Sequence, residues 1–214
     1  MPGVELAVAD LPPLDVLRGR WAAAAAVVAA LGFPGAAHAR DAGAWRWDDG
    51  GGNWAEVAVL DADRAVLLGW DRTARGSLSR RPDGEPTGEL LTGAPDWWAQ
   101  PLRGRTEDVA FLLGWSSGRW ERVPADLQPD LRSGGLAGLP VDAEQLYGMV
   151  DSYVEGVADD QGLGDWRTPW PAVAALGQAG PDLTVEQLAD VLGPLRADLP
   201  TGVVAARRFS PAAG

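Results

Sequence analysis

Residues 49–71, "DGGGNWAEVAVLDADRAVLLGWD", decide how the rest of the chain is read. Trp54 to Leu60 has the β-branched and aromatic content of a strand, Asp61-Ala62-Asp63 is a turn, and Arg64 to Trp70 reads as the returning strand. Ahead of this pair stands "WDDGGGNW", Trp47 to Trp54, with three glycines and two carboxylates between tryptophans. Gly-rich backbone binds phosphate where a strand feeds a helix N-terminus, but here a strand follows. Asp48, Asp49 and Asn53 are oxygen donors for calcium, yet the D-x-D-x-D-G spacing of calcium loops is absent. The stretch therefore reads as a flexible connection between strands, and Trp45 and Trp47 around Arg46 extend the alternation upstream.

Downstream, Arg72 to Gly93 is rich in Gly, Pro, Ser and Arg and reads as a loop. "DWWAQPL", Asp96 to Leu102, fits a short helix or a strand equally well. A second hairpin follows: Val109 to Trp115, a turn at Ser117-Gly118, then Arg119 to Val123. A two-residue primed turn suits the glycine, and it sets Trp115 opposite Trp120 and Ser116 opposite Arg119. The phrase "LLGW" occurs in both hairpins, at Leu67–Trp70 and Leu112–Trp115. "GWSSG", Gly114 to Gly118, also matches the G-x-S-x-G nucleophile elbow with Ser116 as nucleophile. The elbow needs a helix after the serine and a later histidine. "RWERVP" alternates instead, and the single histidine, His38, comes earlier, so the match reads as a hairpin turn.

On the N-terminal side, Arg18-Gly-Arg20, "WAAAAAVVAALG" and Ala37-His38-Ala39 imitate a secretory signal. The segment before them carries Glu5, Asp10 and Asp15, where a signal should be basic. The competing reading is an amphipathic helix with Leu14, Leu17, Trp21, Ala24, Val28 and Leu31 on one face. Pro12-Pro13 suit its start, and Gly32 with Pro34 its stop. No apolar run reaches the length of a membrane span. The expected location is the cytoplasm.

The last third is helical and punctuated by caps. Asp142 with Gln145 makes a capping box, and Val141 with Leu146 makes its hydrophobic staple. Leu146, Met149, Val150, Tyr153 and Val157 supply that helix's buried face. Thr184 with Gln187, flanked by Leu183 and Leu188, repeats the start signal, and Leu188, Val191, Leu192 and Leu195 form the stripe. A shorter helix begins at Thr168-Pro169 and ends at Gly177. Asp159, Asp160 and Asp165 around Gly162 and Gly164 form an acidic helix exit. The whole is an α+β fold in a single domain, 1–214: an N-terminal helix and linker over 1–43, an antiparallel sheet over 44–123, and helices over 141–196.

Composition narrows the chemistry. There is no cysteine and no lysine, so thiol nucleophiles, thiolate metal sites, phosphate-loop lysines and Schiff bases are absent. One histidine cannot build a His-rich zinc site. No cofactor and no bound metal are expected. The net charge of −12 opposes nucleic-acid binding and favours a basic protein partner through electrostatic complementarity. Eleven tryptophans stand against two tyrosines and three phenylalanines. Trp97-Trp98 and Trp166 with Trp170 lie in irregular segments and are candidate interface anchors, since Trp and Arg dominate hot spots. Asp48, Asp49 and Asp71 are the candidate acidic contacts. If those three converged in one pocket they would instead suggest a carboxylate- or metal-dependent enzyme; an apolar patch at Trp97-Trp98 would suggest a subunit of a larger assembly.

The pattern as a whole resembles a set of small acidic α+β bacterial proteins, and the Ala-, Gly-, Pro- and Asp-rich, lysine-free usage is similar to that of actinobacteria. The residues that carry the resemblance are "DLPPLDVLRGRW" (10–21), the 49–71 stretch, "FLLGWSSGRW" (111–120) and "LTVEQLADVLGP" (183–194). Where that pattern continues G-[FW]-D with His-Glu-Ser, this chain has Arg72-Thr73-Ala74, so roles of that His or Glu find no residue here. In style the chain is similar to immunity proteins of bacterial toxin systems. The resemblance implies a non-catalytic protein that binds another protein.

Overall fold

Alternation in the middle of the chain becomes strands β1 (Ala7–Ala9), β2 (Ala37–Ala39), β3 (Ala44–Asp48), β4 (Trp54–Val59), β5 (Ala65–Trp70), β6 (Ser79–Arg80), β7 (Pro86–Thr87), β8 (Phe111–Ser116) and β9 (Arg119–Arg122). The computed structural model describes residues 5–40, 43–73, 79–80, 86–124 and 138–211. Seven strands form one antiparallel sheet in the order β1-β9-β8-β5-β4-β3-β2, and β6 pairs with β7 apart from it. Both expected hairpins are present, joined side by side through β5 and β8. In the second, Trp115 faces Trp120 and Ser116 faces Arg119. Ser117 and Gly118 both have positive φ, 52° and 78°, which is the primed turn that matches strand twist. Ser116 thus ends a strand and feeds a turn, with no helix behind it. The two edges, β1 and β2, are three residues each, which limits pairing with other chains. Neither was visible from alternation, and the "AHA" that imitates a signal cleavage site is β2.

The glycines of the two "LLGW" phrases serve one purpose. A Cβ on Gly69 would lie 2.4 Å from the Phe111 ring, and one on Gly114 would lie 2.1 Å from the Trp98 indole. Each glycine opens a hollow in the sheet that an aromatic ring fills.

Helices α1 (Leu14–Ala30), α2 (Ala143–Asp160), α3 (Trp170–Ala179), α4 (Val185–Leu192) and α5 (Leu199–Arg207) cover one face of the sheet. The helix over Leu14–Leu31 is where the sequence places it, but it is not amphipathic. From Trp21 to Ala30 every residue is buried. Its inner side meets Trp45, Val57 and Leu67 of the sheet, and α2, α3, α4 and α5 surround the rest. A run of alanines allows this, because small side chains let backbones approach from every direction. Gly202 of α5 shows how closely: a Cβ there would lie 2.6 Å from the Ala26 carbonyl oxygen. The end of α1 is a Schellman motif, with Gly32 at φ 93°, its N–H donating to Ala29 and the Phe33 N–H to Val28. The first backbone N–H ahead of α5, at Asp198, donates to the Ala30 carbonyl at 2.9 Å.

The capping box expected for α4 forms in full, whereas that expected for α2 forms only its Asp142 half. The Asp142 side chain accepts from the Gln145 N–H, and Thr184 with Gln187 forms both halves of a capping box. On α2 the buried positions are Leu146, Met149, Val150, Val154 and Ala158; Tyr153 and Val157 are only half-buried. α3 runs through Gly177 and stops at Gly180 (φ 58°), because Gly177 is needed inside the helix where it meets α1. α5 lies beyond the expected helical region, with Asp198 capping it through the Thr201 N–H.

Short 3-10 helices at Glu89–Leu91 and Asp96–Leu102 cover part of the sheet's other face, where Trp98, Leu90 and Leu102 pack on Val66, Leu68 and Leu112. This settles the fold of "DWWAQPL". Trp98 is buried with its indole N–H unpartnered. An unmade hydrogen bond costs about 1–3 kcal/mol, whereas an indole buries roughly 200 Å² at about 25 cal/mol per Å², so packing wins. Loop residues 74–78 and 81–85, and the 125–137 connection to the helices, lie outside the described residues.

Candidate functional site

The β3–β4 connection is built by its own carboxylates. Asp48 Oδ1 accepts from the Gly50 N–H at 2.8 Å, and Asp49 Oδ1 accepts from Gly51 (2.7 Å) and Asn53 (2.9 Å). These are Asx turns, and Gly50 and Gly52 supply the positive φ values they require. The Asn53 side chain donates to Asp49 Oδ2 and accepts from the Arg72 N–H at 2.9 Å, tying the loop to the end of β5. The glycines serve the turn, and the carboxylates that hold it in shape lie at one end of the sheet.

That end meets the C-terminus of α1 and the exposed side of α2. Two adjoining depressions, about 330 and 560 Å³, share Asp49 and Tyr153 in their linings. The smaller also has Phe33, His38, Arg46 and Asp48; the larger has Trp47, Glu144, Met149 and Ser152. Phe33, set by the Schellman turn, packs against Tyr153 with ring centroids 5.4 Å apart and the rings tilted by 51°. Gly148 on α2 has open space where a Cβ would stand, which leaves the floor of the larger depression low. The result is a groove with an aromatic bed and three carboxylates, Asp48, Asp49 and Glu144. Partial burial pushes the Tyr153 hydroxyl above its ordinary pKa, and the Asp49 and Asp48 charges push it the same way. Among the described residues Arg46 is the one arginine in the linings, and it is engaged by Asp48 at 3.6 Å and Glu107 at 2.9 Å. α2 has no basic residue, and Glu144, Glu155, Asp159 and Asp160 on it are exposed.

The seven residues expected to bind a partner do not converge. Asp48 and Asp49 are in the groove. Asp71 is near the same end of the sheet but buried at 1% exposure, with Oδ1 accepting from the Thr73 N–H and hydroxyl, so it serves a turn. Trp98 is core, and Trp97 is half-buried on the far face with the Arg64 guanidinium 5.8 Å from its ring. Trp166 packs over Gly193, and Trp170 is 42% exposed beside Tyr147 on the helical side. Among the described residues no three His, Asp or Glu side chains are grouped to hold a metal. His38 Nδ1 lies 3.2 Å from the Gly35 carbonyl, and Ser152 lines the other depression.

A cluster that sequence reading missed lies on the outer sheet face. Glu56 of β4 is buried, and its carboxylate is held by Arg40 at 2.8 Å and by Arg105. Arg105 and Arg46 lie on Trp54, 5.3 and 4.6 Å from its ring, and both reach Glu107. The only signal was Glu56 itself, a charge inside "WAEVAV". Its partners come from up to 49 residues away.

No family model matches the chain, and neither curated proteins nor solved structures show a significant similarity to it. Among the described residues no helix is long and apolar enough to cross a membrane.

Proposed function

We propose that this chain is a non-catalytic interaction protein, of the immunity or accessory type, which binds a basic protein partner in the cytoplasm. One observation carries the reading: the groove beside Tyr153 sets Asp48, Asp49 and Glu144 around Trp47, Phe33 and Tyr153. Carboxylates over aromatic rings are the complement of an arginine or lysine side chain, which takes an ion pair at its head and a ring face along its stem. The acidic exposed side of α2 continues that surface, and the net charge of −12 would steer a basic partner towards it. A polyanionic nucleic acid would be repelled by the same field. Trp170 is the one exposed tryptophan of the anchor set and stands apart from the groove, so the anchors of this reading are exposed Phe33 and half-buried Tyr153, with Trp47 buried beneath them.

The test is capture from the source cells, with a photo-crosslinking residue at Ser152 in the native chain and in an Asp49→Asn/Glu144→Gln variant. The expected product is a single protein cross-linked through an Arg- or Lys-rich surface, lost in the variant and weakened by salt. Cross-linking that is unchanged in the variant, or an acidic partner surface, overturns the proposal.

A further inference from the structure

A second pocket, about 480 Å³, lies at the opposite end of α1 and β4 from the groove. Trp45 of β3 and Phe209, which follows α5, form its aromatic side, with ring centroids 6.0 Å apart at an angle of 42°. Arg18 of α1 reaches into it, its guanidinium carbon 5.2 Å from the centre of the Trp45 ring. The β4–β5 turn supplies the rim through Leu60 and Asp61, and Ser210 stands beside them.

Arg18 differs from three other half-buried arginines. Arg20 donates to the Val141 carbonyl, and Arg46 and Arg105 donate to glutamates. Arg18 Nε is buried and meets no hydrogen-bond partner, and among the described residues no ion pair holds its terminal nitrogens. Burial depresses its pKa, and only the Asp15 carboxylate one turn earlier opposes that, acting through space. A buried donor of this kind is normally satisfied, because leaving it unmade is costly. A planar guanidinium beside aromatic walls suits a carboxylate with an apolar body, and the volume falls within the range of small-molecule sites.

Charge on the rim narrows the ligand further. The Asp61 carboxyl is held below its ordinary pKa, mainly because Arg64 donates to it at 2.6 and 2.8 Å, with the Asp63 N–H adding to this. Its charge is matched by Arg64, which tolerates a monoanion nearby and disfavours a dianion. We propose that this pocket binds a small monocarboxylic acid with an aromatic or branched apolar body, its carboxylate accepting from Arg18 and its body lying against Trp45 and Phe209.

The test uses the full chain and phenylacetate, with phenylacetamide as the uncharged isostere and inorganic phosphate as the dianion. Binding is followed by titration calorimetry and by the indole N–H signals, Trp45 being assigned through Trp45→Phe. Expected are saturable phenylacetate binding that moves the Trp45 signal, affinity at least tenfold weaker for the amide, and a similar loss in Arg18→Met. Absence of saturation up to about 10 mM, equal affinity for acid and amide, preference for phosphate, or unchanged binding in Arg18→Met overturns the proposal. The acid–amide comparison is made on the native chain, so it decides the matter even if Arg18→Met fails to fold.

Discussion

Gly19 of α1 faces Gly177 of α3 so closely that a Cβ on Gly19 would stand 2.7 Å from the Gly177 carbonyl oxygen. Backbone cannot swing aside as a side chain can, so the two helices must separate to admit even a methyl group. Alanine gains about 1 kcal/mol over glycine as a helix former, but overpacking a tight interior costs about 1–3 kcal/mol. Gly19→Ala should therefore lower stability in urea unfolding. A raised midpoint would show that the α1–α3 contact can give way at little cost.

Central placement of α1 also explains which parts of the fold were legible in the sequence. Its limits were readable from Pro13, Gly32 and Pro34, and those of α2 and α4 from Asp142 and Thr184, because caps act within one turn. The leucine stripe on α1 suggested one apolar face, but alanine is neutral in such a pattern, and the all-round burial depends on helices 110 or more residues later. β1 and β2 are too short for alternation to register. α5 did carry a local signal in Asp198-Leu199-Pro200-Thr201, a cap followed by proline in the first turn. The groove was half legible: Asp48 and Asp49 stood out, whereas Phe33, Glu144 and Tyr153 join them only through tertiary packing.

Glu107 gives the outer-face cluster a pH signature. Burial pushes its carboxyl upward, but hydrogen bonds and charges from Arg46 and Arg105 outweigh this and leave it below the ordinary 4.5. A depressed folded pKa stabilises fully above the unfolded value and is lost as pH falls from about 4.5 through the folded value. Glu107→Gln should be less stable than the native chain at neutral pH, with the gap closing in acid. Thermal unfolding of both proteins between neutral pH and strong acid checks this, and a gap independent of pH contradicts it.

The groove's negative field can be read from Tyr153. Ultraviolet titration of the two tyrosines, assigned with Tyr147→Phe and Tyr153→Phe, should place Tyr153 above the ordinary 10.0. Asp49→Asn should bring it part of the way back, since burial is the larger cause and survives the substitution. A Tyr153 value indifferent to Asp49→Asn would remove the electrostatic support for a cation in the groove.

Ser117 holds φ at 52° in the first central position of the β8–β9 turn, where asparagine is the favoured partner of a following glycine. Left-handed backbone costs an ordinary residue roughly 1 kcal/mol, and asparagine less. Ser117→Asn should raise the urea midpoint by a few tenths to about 1 kcal/mol of stability, with no change in the slope of the transition. A lower midpoint would mean that the serine makes a stabilising contact at the turn.

The hollow under Trp98 offers the sharpest test of the outer layer. Gly114 lies beneath the indole, and a Cβ there would be 2.1 Å from its Nε1. Gly114→Ala must expel the ring, because Val66, Leu68 and Leu112 on the same face already pack around it and leave no room for it to slide. Losing a buried tryptophan from its site costs about 3–5 kcal/mol, an upper bound if the 3-10 helix shifts with it. Gly114→Ala should thus expose an indole, seen as a red shift in tryptophan emission and faster proteolysis in the 89–105 segment. The helical side, whose packing on α1 does not involve Trp98, should keep its helical circular dichroism. Full loss of helix would show that the two faces of the sheet fold as one cooperative unit; unchanged emission would show that Trp98 adjusts within its site.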